Sequence, residues 1–214
     1  MAIVVPAILE KTREGFLEKE SLLKKLSGLE RVQVDFADGV FVPNTLLSVD
    51  EIDTLSPMFE WEAHLMIKNP ADFLDYQICG FGTILIHFEA FPDSVAVKNT
   101  LNAIKDLGMK AGVVVNPGTP IDVLDKFGSI ADQFLIMAVE PGFQGAAFIE
   151  STYDRIFELR KLFPHAIIEV DGGVKEENIR HLKDAGADYL ATGSTLFRSN
   201  NISETFQKLS DEAK

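Results

Sequence analysis

Arg31-Val32-Gln33-Val34-Asp35-Phe36-Ala37-Asp38-Gly39-Val40-Phe41-Val42-Pro43-Asn44 decides how the chain reads. Val32 and Val34 alternate with Gln33 and Asp35 at the period of a strand, over Arg31–Phe36. Asp38-Gly39 then turns the chain into a loop carrying Pro43, and Asp38 is read as a turn residue. Asp35 therefore stands near the C-terminal end of a strand. Barrels of parallel strands place their chemistry there, so the rest of the chain shows whether other strands end in the same way.

Working outward, Ile3–Leu9 precedes this strand, and Trp61–Met66, Thr83–Phe88, Lys110–Val115, Gln133–Val139, Ala166–Val170 and Tyr189–Thr192 follow it as apolar or alternating runs. Between them lie helical patterns at Thr12–Leu26, Val49–Leu55, Val95–Leu107, Ala147–Phe163, Lys175–Ala185 and Ile202–Leu209. One more opens at Pro70-Ala71-Asp72 and runs to Cys79, and another starts at Thr119-Pro120-Ile121-Asp122 with Thr119 as N-cap. Gly108 and Gly186 read as helix C-caps rather than ligand contacts. Largely apolar strands imply burial on both faces, as in a parallel sheet covered by helices. Eight strand–helix units in this length predict a single-domain (β/α)8 TIM barrel over residues 1–214. The competing architecture is a doubly wound open sheet, whose dinucleotide-binding form is weakened because no Gly-x-Gly-x-x-Gly follows the first strand.

The 214 residues, 46% hydrophobic and 25% charged, are enough to bury a core without disulfides or structural metal. Cys79 is the single cysteine and reads as a small buried hydrophobe. With no disulfide framework and no basic segment ahead of the apolar N-terminus, the expected compartment is cytoplasmic. A formal net charge of −13 argues against nucleic acid and anionic membrane as partners. It leaves room for a small phosphorylated ligand, because backbone N–H groups bind one phosphate whatever the global charge.

The polar residues at strand ends are Asp35, His64, His87 with Glu89, Asn116, the loop from Glu140 to Gly145, Asp171-Gly172-Gly173 and Thr192-Gly193-Ser194. Asp35 and Asp171 are expected on opposite sides of the mouth, where two carboxylates can take a proton from one face of a substrate and return one to the other. Gly172, Gly173, Gly193 and Ser194 follow strands seven and eight, where barrels bind phosphate. One histidine and two aspartates at strand ends also form a divalent-metal set. His87 and Glu89, read as sharing one face of a strand, are candidates to support that set from behind, with a structural role the favoured reading.

Along essentially its full length the chain resembles the ribulose-phosphate 3-epimerase family. The matching motifs are Pro6-Ala7-Ile8-Leu9, Val34–Gly39 with Phe41–Asn44, Ala63–Met66, Gly112–Pro117, Met137–Gly145, Glu169–Gly173 and Gly193–Phe197. The resemblance implies a (β/α)8 barrel interconverting ribulose 5-phosphate and xylulose 5-phosphate, with Asp35 and Asp171 as acid and base. It implies a divalent metal (zinc, iron or manganese) on Asp35, His64 and Asp171, and a second histidine that falls here at Gln33. Met66, Met137 and Ala7 would line the site, and Gly142, Phe143, Gln144 and Gly145 would join the phosphate loops. Homo-oligomers are common in the family. The chain departs from its pattern at Ala7, Gln33, Ala37, Glu140, Gln144, Ala146 and Ala147. An amide oxygen at Gln33 is a weaker metal ligand than imidazole. Two alternatives stay open: an epimerase or isomerase of another ketose phosphate with altered or no metal dependence, and a non-catalytic sugar-phosphate-binding protein.

Overall fold

The computed structural model describes residues 1–142 and 145–214. Eight parallel strands close into a barrel in chain order: β1 Ile3–Ile8, β2 Arg31–Ala37, β3 Glu60–Met66, β4 Thr83–His87, β5 Lys110–Val115, β6 Gln133–Met137, β7 Ile167–Asp171 and β8 Tyr189–Thr192. Pairing of β8 with β1, from Ile3↔Tyr189 to Pro6↔Thr192, closes the ring and rules out an open sheet. Around it lie α1 Arg13–Leu23, α2 Leu74–Cys79, α3 Ser94–Asp106, α4 Thr152–Leu162, α5 Ile179–Ala185, α6 Ser194–Phe197 and α7 Ile202–Glu212.

Every residue of β2 is buried, because both its faces are covered. Val32, Val34 and Phe36 join one continuous core with helix residues such as Phe16, Leu23 and Tyr76. Gln33 and Asp35, at the alternate positions, point into the barrel. The barrel interior holds two clusters. Leu85, Val114, Leu135 and Met137 make an apolar one. The other is polar: Arg31 and Gln133 donate to Glu62 at 3.2 and 3.4 Å, and Gln133 also bonds Glu169. Burial drives the carboxyls of Glu62 and Glu169 above the ordinary range, Glu169 well above it. Arg31 offsets part of that desolvation for both.

Strands fall within two residues of their expected bounds, whereas several helices start late. The helix expected from Pro70 begins at Leu74, since Asn69 and Asp72 adopt left-handed φ of 47° and 57°. The segment expected to be helical from Ala147 is irregular to Ile149 and turns at Glu150 and Ser151 before the helix begins at Thr152, and the Ile149 N–H is bonded to the Ala138 carbonyl. Between Lys175 and Ile179 the Asn178 side chain accepts from the Lys175 N–H and donates to the Gly173 carbonyl, making a turn. Val49–Leu55 is one 3-10 turn at Val49–Glu51, as the Leu55 N–H bonds Cys79 instead. Thr119 does not cap a helix: its hydroxyl donates to Glu89, and a 3-10 segment follows at Ile121–Lys126. Glu89 lies beyond β4, in the 3-10 turn Phe88–Ala90. Gly108 and Gly186, at φ 81° and 119°, do end helices.

Candidate active site

The C-terminal ends of the strands open on a cleft of about 540 Å³, counted out to its mouth. Ala7, Asp35, His64, Met66, Met137 and Asp171 line it, and so do Gly142, Gly145, Gly172, Gly173, Gly193 and Ser194. Of the residues expected at the site, Gln33 is the one described residue that lies below the cleft rather than on its wall; Phe143 and Gln144 lie outside the described residues. Glu140 is exposed and does not line the cleft.

Strand register sets the geometry. Asp35 pairs with His64 on the adjacent strand. Gln33 is two residues back from Asp35, on the same inward face. Its Nε2 donates to Asp35 Oδ1 at 2.7 Å and to Asp171 Oδ2 at 2.9 Å. His64 Nδ1 approaches the same two oxygens at 2.9 and 3.4 Å. The carboxylates therefore do not stand at opposite edges of the mouth; a single amide spans them. This closeness follows from barrel closure, which leaves only β1 and β8 between β2 and β7.

The charges are coupled. Burial raises the Asp35 carboxyl and the nearby Asp171 charge adds to that, against hydrogen bonds from His64 and Gln33. Burial alone would pull the His64 imidazole down, but the hydrogen bonds and charges of Asp171 and Asp35 lift it to about 9. Behind it, burial holds His87 down at about 4.

Asp35, His64 and Asp171 each bring one ligand atom within 4.8 Å of the others. Gln33 decides whether the set can be completed. Its nitrogen touches both carboxylates, while its Oε1 is buried and has no hydrogen-bond partner among the described residues. A half-turn of the amide exchanges the two atoms and puts an oxygen beside the carboxylates, giving a fourth donor. The residues thus fit a divalent cation, with an amide where an imidazole would be the stronger ligand.

The polar interior beneath the cleft was not anticipated from sequence. Its signal is the period of two: Gln33, Glu62 and Glu169 each stand two residues before Asp35, His64 and Asp171. Polar residues at i and i+2 of an otherwise apolar strand share its inward face.

The fold and site define a (β/α)8 barrel with an Asp–His–Asp cluster at a glycine-walled cleft on its catalytic face. More particularly, the chain belongs to the ribulose-phosphate 3-epimerase family, whose model matches residues 3–197. It is 36% identical over 212 residues to the chloroplastic ribulose-5-phosphate-3-epimerase of Arabidopsis thaliana, covering 96% of this chain and 75% of that one. It is also 36% identical over 189 residues to the ribulose-phosphate 3-epimerase of Aquifex aeolicus, covering 85% and 84%. Among solved structures, 3-hexulose-6-phosphate synthase of Salmonella typhimurium superposes with a TM-score of 0.74 at 14% identity, covering 99% of this chain and 98% of that one. At that identity the likeness is one of fold. Among the described residues, no helix is long and apolar enough to cross a membrane.

Proposed function

We propose that the chain interconverts D-ribulose 5-phosphate and D-xylulose 5-phosphate at C3, with Asp35 and Asp171 as the two acid–base residues. The observation carrying this reading is that both carboxylates line one cleft and share the same two hydrogen-bond donors, Gln33 and His64. One carboxylate removes the C3 proton to leave a 2,3-enediolate, and the other delivers a proton to the opposite face. Asp35, which burial pushes toward its protonated form, is the acid in one direction and the base in the other. Gln33 holds both carboxylates through its N–H groups, so their remaining oxygens stay oriented to the substrate. Gly172, Gly173, Gly193 and Ser194, with Gly142 and Gly145, would seat the phosphate on backbone N–H groups. Gly172 has φ of 104°, and a Cβ there would run into the Val139 side chain. In place of the Gln33 N–H bonds to the carboxylates, with that amide turned, a zinc, iron or manganese ion held by Asp35, His64, Asp171 and the Gln33 oxygen would act as a Lewis acid on the ketose carbonyl.

A second reading, an epimerase of a different ketose phosphate, is favoured by the alanine at Ala7 on the cleft wall and by the amide at Gln33 beneath it. Deuterium wash-in from heavy water across a panel of ketose phosphates, with and without added metal, separates the readings. Incorporation at C3 of ribulose 5-phosphate is expected. Incorporation only into another ketose phosphate favours the second reading, and none into any of them leaves a binding protein.

A further inference from the structure

Behind His64, away from the cleft, stand His87 at the end of β4 and Glu89 in the following turn. Neither lines the cleft. His87 is fully buried, with the Phe41 ring centred 4.7 Å from its own. The Nε2 atoms of His64 and His87 are 2.8 Å apart. Their ring centroids are 5.0 Å apart and their planes differ by 26°, so the rings meet edge to edge. Two imidazole nitrogens this close share one proton: one is N–H and the other a lone pair.

The far side of His87 decides which. Its Nδ1 faces Glu89 Oε2 at 3.5 Å, a long contact. Both atoms are buried, and neither has a hydrogen-bond partner among the described residues. The other carboxylate oxygen, Oε1, is pinned by the Asn116 N–H at 2.8 Å and by the Thr119 hydroxyl. A lone pair on His87 Nδ1 would set two buried acceptors against each other. An N–H there gives each atom a partner. Neutral His87 then presents a lone pair at Nε2, and His64 must supply the Nε2–H.

We infer that Glu89 and His87 are positioning residues that keep a proton on His64 Nε2, pointed away from the cleft, so that Nδ1 alone faces Asp35 and Asp171: as an N–H to the carboxylates or, once that proton is released, as a lone pair for a cation. Without them a neutral His64 is free to carry its proton on Nδ1, which removes the lone pair a cation would need. The value of this arrangement to turnover rests on the epimerase reading; the tautomer does not.

Glu89→Gln tests it. With its oxygen kept on Asn116 and Thr119, the new amide aims an NH2 group at His87 Nδ1, which then needs a lone pair. The proton between the rings reverses its direction. Two-bond 1H–15N correlation spectra of the 15N-histidine-labelled chain read each ring nitrogen. The chain has four histidines, and the other two, His165 and His181, are exposed and can be assigned by substitution. The expected result is a His87 Nδ1–H tautomer in the wild type, an Nε2–H tautomer in Glu89→Gln, and a kcat for ribulose 5-phosphate lowered about 10–100-fold with KM nearly unchanged. A wild-type His87 protonated at Nε2 overturns the inference, and this needs no variant to fold. An unchanged tautomer in Glu89→Gln, or a reversed one with unchanged kcat, also overturns it. If the wild type shows the expected tautomers but does not turn over ribulose 5-phosphate, the tautomer assignment is upheld and the epimerase reading fails.

Discussion

Gln33 carries the main tension at the residue scale. As a hydrogen-bond donor it ties Asp35 to Asp171, and as a ligand it needs its oxygen in the same place. Gln33→His should therefore raise zinc affinity by about tenfold or more, measured by competition with a chromophoric chelator. Unchanged affinity would mean that this side chain does not reach the cation. Asp38 has a different task, as its turn reading implied. Its carboxylate accepts from the N–H groups of Val40, Phe41 and Lys68, each at 2.8 Å. Burial works against the charged form, but these bonds outweigh it and lower the carboxyl below 3.8. A lowered carboxylate stabilises the fold above its unfolded value and loses that contribution as pH falls through the folded one. Asp38→Ala should thus melt below the wild type at pH 7, with the gap closing on acidification below about 3.8. A gap that stays constant would assign the loss to something other than this charge. Individual strand-end residues were legible in the sequence because period two and a following turn mark them. The partners of each were not, because Gln33 and Asp171 are 138 residues apart.

Among the elements, strands were more legible than helices for a physical reason. A strand buried on both faces must be apolar through most of its length, so β5 and β8 match their expected bounds. Helix starts depend on where the backbone leaves the loop. Ala147–Ser151 has helix-compatible residues yet is held to Ala138 by a hydrogen bond from Ile149, and this tie cannot be read from local pattern. The loops so formed make the cleft wall. Gly172 shows what they demand, with its φ of 104° and the Val139 side chain where a Cβ would stand. Gly172→Ala should cost about 1–3 kcal/mol of stability, read by denaturant melting, and should raise KM for a phosphorylated substrate. A variant with unchanged melting and KM would show that the loop adapts freely.

For the whole molecule, closure of the ring is what makes a site. It brings β2 and β7 near enough for one amide to touch both carboxylates. The sequence announced two strand-end carboxylates facing each other but not how close they stand, since that depends on the intervening β1–β8 pairing. The central claim is that these two carboxylates form the proton-transfer pair. Its most direct measurement is the rate of epimerisation of ribulose 5-phosphate by Asp35→Asn and Asp171→Asn, with deuterium wash-in at C3 followed in the same samples. Both variants should retain the fold and lose turnover by about 10²–10⁴-fold. Wild-type turnover in either variant would contradict the account.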